Sequence, residues 1–419
     1  MCPDLDDDSS AAHGLINPVG PERQSVRAMP IQAGGDLKIA AIEATPISYR
    51  MDKNAARLGI GQAVKRDAVI VKVTTKGGLV GFGETHHARA ANITAAIVNT
   101  TLRDVVIGSD AADVVGLWSR IYNMQLKSHG LGAAMAIAMS GVDMALWDIR
   151  GKATGWPLHR LLGGSARKVK AYAGGVSLGW QEPAKLVEEA RSLLASGYRA
   201  LKLRVGDTPE RDISRVRAVR EALGDDLIIL VDANAEYSVD SVRAVMPAYD
   251  ELRVGWLEEP FPPHDHRSYG EAHKLGRVPL AAGENHYTRF EFSRLIEDGH
   301  VRIVQPDLSK TGGITEAWRI AAMASALKLP ICPHTSMTGL NMAATIHFLS
   351  AIDNGWYFEG DASPVNLFRD QLVSPPYVLA ADGTVSPSDA PGLGVEVDED
   401  FVASHPFIEG PMYVYAGAR

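Results

Sequence analysis

An α/β barrel carrying a separate α+β module is the fold class this sequence predicts, and three observations predict it. From Val169 onward, short apolar runs alternate with helical stretches. VKAYAGG, ALKLRVG, LIILVDAN, VGWLEEP, PLAAGEN, RIVQPD, LPICPH and GWYFEG make eight strands apolar on both faces, as parallel barrel strands are. Seven polar residues fall near the ends of these runs: Lys202, Asp232, Glu258, Glu284, Asp307, His334 and Glu359, at spacings of 30, 26, 26, 23, 27 and 25. A βα unit of a barrel needs roughly 25–30 residues, and its functional groups sit where strands end. The region before Val169 has a different rhythm, with alternating strands turning at Lys76-Gly77-Gly78 and then helices.

The chain has 419 residues, enough for two domains and a tail. Residues 1–36 mix Asp, Ser, Gly and Pro without periodicity and read as a disordered or loosely attached tail. LKIAAIEATPISYR and RDAVIVKVTTKGGLVGFGETH supply three strands of an α+β module over 37–165. MDKNAARLGIGQAVKR between them, with Gly59 and Gly61, reads as a mobile loop. ITAAIVNTTLRDVVIG and DVVGLWSRIYNMQLK follow with helical spacing. The barrel occupies 166–380; its first helix, EPAKLVEEARSLLASG, stops at Gly197. Residues 381–419 are Pro/Gly-rich at their start and read as a closing segment.

Composition excludes several function classes. The formal net charge is −8 and no Lys/Arg run breaks it, which argues against nucleic acid or an acidic membrane surface as partner. No stretch approaches the roughly 20 apolar residues of a membrane helix; LGAAMAIAMSGVDMALWDIRGK carries Asp143, Asp148 and Arg150. The acidic, polar N-terminus lacks a signal pattern. Two cysteines, Cys2 in the tail and Cys332 in an apolar strand, make no disulfide framework, so a reducing cytoplasm is expected. No Walker A or dinucleotide glycine pattern occurs.

Asp232, Glu258 and Glu284 end three successive strands and so crowd one point. Three uncompensated anions there are costly, and an all-oxygen set favours Mg²⁺ or Mn²⁺ over Zn²⁺. Asp307 and His334 end the next two strands; an Asp beside a His fixes one tautomer and leaves Nε2 for proton transfer. Lys202 is positioned to hold a carboxylate oxygen or, if desolvated, to act as a base. Glu359 either donates a hydrogen bond as a neutral carboxyl or is an ordinary strand-end acid. Together these suit removal of a proton next to a carboxylate, with a divalent cation stabilising the enediolate. His86, His87 and Arg89, after the strand GLVGFGE, are candidates for reading the distal end of the substrate, and His286 is a further contact candidate. Asn234 and Asn285 are candidate supporting groups for the metal ligands.

The same residues resemble the enolase superfamily, in particular its mandelate-racemase-like branch, over about 37–419. The family's Lys-x-Lys motif falls on Lys202-Leu203-Arg204, its metal ligands on Asp232 in VDAN, Glu258 in LEEP and Glu284 in GEN, its base dyad on Asp307 in QPD and His334 in PHTS, and its electrophilic carboxyl on Glu359 in YFEG. The resemblance implies a modified TIM barrel, (β/α)7β, a capping domain built from the N-terminal module plus the C-terminal segment, Mg²⁺, a small carboxylate substrate and a homo-oligomer.

One position departs from the family. Arg204 stands where the second lysine, usually a base, would be, and arginine is effectively always protonated. Its expected role is to hold the substrate anion through a bidentate contact. A one-sided site follows, with His334 as base and then acid, and the expected reaction is dehydration of a sugar acid to a 2-keto-3-deoxy acid. The alternatives are an epimerase, racemase or lactone cycloisomerase on the same scaffold, or a barrel that binds metal and acid without catalysis. His264-Asp265-His266 would suit a metal-dependent hydrolase only at a strand end, whereas it sits in the Pro-rich stretch PFPPHDHRS. Gly312-Gly313 most simply starts a helix.

Overall fold

Six strands, Val169–Gly174, Ala200–Arg204, Ile228–Asp232, Val254–Glu258, Leu280–Ala282 and Ile303–Val304, pair in chain order as parallel neighbours. The first also pairs in parallel with Tyr357–Asp361. Parallel bridges Val304–Ile331 and Ile331–Gly355 fill the remaining gap, so Ile331 stands for the seventh strand and the ring closes. Helices Pro183–Ala195, Pro209–Leu223, Val239–Glu251, His266–Ala272, Thr288–Glu297, Ile314–Ala326 and Gly339–Ala351 connect consecutive strands, and none precedes the first. The arrangement is the expected (β/α)7β. In this computed structural model residues 35–51, 56–128 and 132–415 are described, within the compact unit Gln32–Arg419. The expected tail falls almost wholly outside the described residues.

Local sequence explains the helix ends. Pro209–Leu223 begins with Thr208, whose side chain accepts from the Arg211 N–H, places Pro209 in the first turn and adds Glu210 and Asp212 there. Gly224, at φ 83°, stops it. Val216 and Val219 face inward.

The capping strands Ile39–Arg50, Lys65–Thr75 and Val80–Thr85 form an antiparallel sheet, turning where the Lys76-Gly77-Gly78 signal predicts. A register shift between Ile39 and Ala41 accompanies the skip in burial from Ile39 to Ile42. Helix Ala133–Thr154 lies against this sheet. A Cβ at Gly83 would meet the Gly141 carbonyl oxygen at 2.1 Å, so both glycines are needed for the close approach. The helix's Ser140, Asp143 and Trp147 share one face and grip the turn after the sixth barrel strand. Ser140 Oγ accepts from Gly312 N at 2.9 Å, Asp143 accepts from Thr315 N at 2.9 Å, and Trp147 Nε1 donates to Thr315 Oγ1 at 2.9 Å. Gly312 is therefore a docking point for the cap.

Two expectations change here. The stretch 51–66 is, in its described part, a hairpin: Arg57–Leu58 pairs with Gly61–Ala63, and Tyr413–Val414 adds a third strand. Its partner lies about as far away in sequence as the chain allows, which no local pattern reveals. The closing segment also serves both regions. Thr384–Val385 pairs with the base of the first barrel strand, while Tyr413–Val414 joins the cap. No helix among the described residues is long and apolar enough to cross a membrane.

Candidate active site

The pleat of the barrel decides which residues meet. Tyr172, Ala200, Leu230, Trp256, Ala281, Ile303, Cys332 and Tyr357, one from each strand position, form an apolar cluster of their own inside the barrel. Strand side chains alternate with period two, so the next inward layer is two residues on. It reads Gly174, Lys202, Asp232, Glu258, Gly283, Gln305, His334 and Glu359. The two glycines leave room: a Cβ at Gly174 would meet Glu359 Oε1 at 2.2 Å, and Gly283, at φ 149°, would meet the Gln305 backbone.

Lys202 is the hub of this layer. Its Nζ donates to Glu258 Oε1 at 2.6 Å and lies 3.1 Å from Glu359 Oε1 and 3.5 Å from Asp232 Oδ2. Burial alone would discharge it, but Glu258, Glu359 and Asp232 outweigh that and raise its pKa, which keeps it a cation among these acids. Glu258 Oε2 accepts from Trp256 Nε1 at 3.0 Å and from Gln305 Nε2 at 2.8 Å. Burial, with repulsion from Asp232, Glu359 and Glu284 working against Lys202, pushes its carboxyl up to about 7. Glu359 goes the other way. Burial opposes ionisation, yet Lys202, His334 and Arg204 hold it below the usual carboxylate range. Of the two readings of Glu359, the charged one fits this environment.

Above this layer, Arg204 Nη1 is bound to Asp232 and Nη2 donates to the Gly175 carbonyl at 2.7 Å, leaving only Nε unpaired. The excess of acids draws its terminal nitrogens onto protein oxygens. His334 Nδ1 lies 2.7 Å from Asp307 Oδ2. Asp307 Oδ1 accepts from Ser309 N at 2.8 Å, Ser309 Oγ at 2.7 Å and Asn341 Nδ2 at 3.1 Å, which fixes the carboxylate plane. His334 Nε2 faces Glu284 Oε2 at 3.1 Å. Burial opposes protonation, but Glu284, Glu359 and Asp307 push the imidazole up to about 9.

Asp232, Glu258 and Glu284 are thus neighbours, as their strand ends require. Among the described residues, however, no group of three or more His, Cys, Asp or Glu is arranged as a metal-binding cluster. Each carboxylate turns to a cation or an imidazole: Asp232 to Arg204, Glu258 to Lys202 and Glu284 to His334. The donor set still suits a hard divalent cation. Asp232, Glu258, Glu259, Glu284, Asp307 and Glu359 outnumber Lys202, Arg204 and Lys310, and Glu259 keeps one oxygen without a partner while burial, Glu284 and Asp232 raise its pKa well above the ordinary value.

A cavity of about 490 Å³ opens over this layer. His86, His87, Arg89, Arg204, Asn234, Glu284, Asn285 and His334 line it. Lys202, Asp232, Glu258, Asp307 and Glu359 are buried behind the lining. His286 is not on this wall. It is buried in a neighbouring cleft with His264, His266 and Glu291, because the Gly283 turn breaks the alternation that would have aimed it inward. His264-Asp265-His266 also lies away from the cavity: Asp265 caps the helix His266–Ala272, and His266 pairs with Asp298. Asn285 Nδ2 donates to Glu259 Oε2 at 2.7 Å and Glu284 Oε1 at 3.1 Å, and Asn234 N donates to Asp232 Oδ1 at 2.9 Å. Sequence reasoning missed Gln305, Lys310, Glu259 and Tyr413. Gln305 was detectable, being two residues past Ile303 on an inward face; Tyr413 arrives from the far end of the chain.

The comparisons with known proteins agree with this architecture. Residues 41–163 match the family described as "Mandelate racemase / muconate lactonizing enzyme, N-terminal domain", and residues 185–401 match "Enolase C-terminal domain-like". The chain belongs to the mandelate racemase/muconate lactonizing enzyme family of the enolase superfamily. A member of that superfamily from Polaromonas sp. JS666 superimposes with a TM-score of 0.88 at 52% identity, covering 90% of this chain and 100% of that one. A racemase from Streptomyces coelicolor A3(2) with bound magnesium superimposes with a TM-score of 0.81 at 28% identity, over 88% and 99% of the two chains. D-galactarolactone cycloisomerase of Agrobacterium fabrum is 31% identical over 87% of this chain and 97% of its own. Arabinonate dehydratase of Saccharolobus solfataricus is 32% identical over 79% and 88%.

Proposed function

We propose that this protein is an enzyme that abstracts the proton alpha to the carboxylate of a sugar acid and then expels the β-hydroxyl, giving a 2-keto-3-deoxy acid. The observation that carries this reading is the His334 imidazole, anchored at Nδ1 by Asp307 and presenting Nε2 to the cavity beside the acid cluster. Relatives named as dehydratases of arabinonate and D-galactonate support it.

Asp232, Glu258 and Glu284 would hold Mg²⁺, which when bound polarises the substrate carboxylate and stabilises the enediolate charge. Lys202, charged beneath the same point, adds a fixed positive field. Asp307 sets the His334 tautomer. Once the Glu284 carboxylate is otherwise engaged, His334 loses its largest proton-holding neighbour and Nε2 becomes a base. The imidazolium then returns its proton to the departing hydroxyl on the same face, a syn elimination. Burial opposes protonation of Arg204, yet Asp232 and the nearby glutamates raise its pKa further, so it supplies no base for a second face.

A second reading is lactone cycloisomerisation, favoured by the cycloisomerase relative that this chain spans almost end to end. It uses the same proton abstraction and differs in the leaving group. Incubating the protein with Mg²⁺ and a panel of sugar acids and lactones in D₂O separates the two. A 2-keto-3-deoxy product supports dehydration, and ring opening of a lactone supports cycloisomerisation. Turnover that persists in chelator removes the metal from the mechanism.

A further inference from the structure

The cavity is lined by groups of both signs. The acid cluster calls for a cation, whereas Arg89, from the cap, and Lys310, from the turn after the sixth barrel strand and beside Glu284, bring positive charge to the same lining. Arg89 follows Ala88 in a turn where both adopt left-handed backbone, at φ 48° and 59°, a conformation that non-glycine residues hold at a cost. The turn is fastened by Ala88 N and Arg89 N, which donate to His86 Nδ1 at 3.1 Å and His87 Nδ1 at 2.8 Å. It lays the Arg89 guanidinium over the Tyr413 ring, 5.3 Å from its centroid. Among the described residues no carboxylate pairs with it. Lys310 is only 4% exposed, yet its nearest partners are distant: Glu284 Oε1 at 3.8 Å and Asn285 Oδ1 at 3.4 Å. A buried ammonium so weakly held has donor capacity to spare.

His86 and His87 complete the wall. Because each Nδ1 accepts a backbone N–H, each ring carries its proton on Nε2 and is a donor there. Burial, and for each ring the charges of Lys310 and Arg89, keep both imidazoles neutral. Arg89, Lys310 and these two neutral donors thus offer hydrogens and positive charge to the cavity that the acids also line.

We propose that Arg89 binds a second anionic group, so that the substrate is a sugar diacid, or a monolactone that keeps one carboxylate, with the Arg89 guanidinium holding the carboxylate remote from the reacting carbon. The assignment rests on the sugar-acid reading above and narrows it. An Arg fork suits a terminal carboxylate, which a hydroxymethyl end does not replace.

The test uses the full chain with Mg²⁺ and a panel of hexonates, their matched hexarates and 6-phosphohexonates. Wild type should turn over a hexarate with kcat/KM at least about tenfold above its matched hexonate. Arg89→Met should lower kcat/KM for the diacid about ten- to a hundredfold, mainly through KM, and shrink that ratio toward one, with Arg89→Lys recovering part of it. Because Arg89 is exposed, these variants keep the fold. A hexonate or phosphohexonate preferred over the hexarate overturns the diacid assignment and leaves the sugar-acid reading intact. So does a ratio unmoved by Arg89→Met. If wild type turns over none of the panel, the sugar-acid reading falls and the diacid goes with it.

Discussion

Two rings of side chains line the barrel two residues apart, and their chemistry is opposite. The lower ring, from Tyr172 to Tyr357, is apolar and closes the barrel as a plug. The upper ring holds Lys202, Asp232, Glu258, Gln305, His334 and Glu359, all buried. The rings touch: Lys202 Nζ sits 5.4 Å from the Tyr172 ring centroid, and Trp256 Nε1 donates upward to Glu258. The same strands therefore supply stability at one level and reactivity at the next. The pleat separates the roles, so a substitution can strike either ring alone.

The largest effect is expected in the upper ring. His334→Asn removes the proposed base and should cost about 10²–10⁴-fold in kcat with little change in Tm. Turnover near the wild-type level would take His334 out of the chemistry. A collapse of the fold would mean the upper ring also carries stability. In the lower ring, Trp256→Ala opens a void under the site and should cost about 3–5 kcal/mol in denaturant unfolding. A loss below about 1 kcal/mol would mean the plug is loosely packed and the division of labour is wrong.

A third expectation concerns a buried acid without a cation. Glu84, on the cap strand Val80–Thr85, accepts from Thr338 N at 3.2 Å and from its hydroxyl, while its other oxygen has no partner. Burial dominates and pushes its carboxyl up to about 8. The folded chain then binds a proton that the unfolded chain releases above its ordinary value of 4.5. Stability should fall as pH rises from about 4.5 to about 8 and level off beyond, by a few kcal/mol at most. Glu84→Gln, isosteric with the neutral acid, should flatten this component. Superimposable pH profiles of the two proteins would show that Glu84 ionises normally.

The fold was legible because strand ends announce themselves: an apolar run followed by a charged residue marks both the element and its catalytic end. Asp232, Glu258 and Glu359 lie in the strands where this rule applies directly. It weakens where the backbone turns. Glu284 follows the Gly283 turn, and extending the alternation past that turn to His286 points to the wrong wall. Lys310 lies beyond its strand, in a turn held by a helix from the cap, and its place depends on contacts such as that of Ser140 with Gly312. Tyr413 depends on pairing with Gly61–Ala63. The pairing of Asp232 with Arg204 escaped for another reason: motif spacing locates charges but does not say which neighbours neutralise them.

The smallest effect on stability is the most discriminating. Glu258→Gln should abolish Mg²⁺-dependent turnover, yet without metal it should leave stability within about 1 kcal/mol of wild type. An isolated buried ion pair broken in this way costs about 3–5 kcal/mol, because the remaining charge is stranded. Lys202 would not be stranded, since Glu359 Oε1 at 3.1 Å and Asp232 Oδ2 at 3.5 Å remain. Removing one of four crowded carboxylates also relieves the repulsion that lifts the Glu258 carboxyl to about 7. Against that stands the Trp256 N–H, which loses a charged acceptor, while the Gln305 amide can turn its unpaired oxygen toward the new side-chain NH₂. These terms are each of order 1 kcal/mol and opposite in sign. A metal-free loss of about 3 kcal/mol or more would mean that Lys202 and Glu258 form a private pair, and that the upper ring is not a shared charge cluster waiting for a cation.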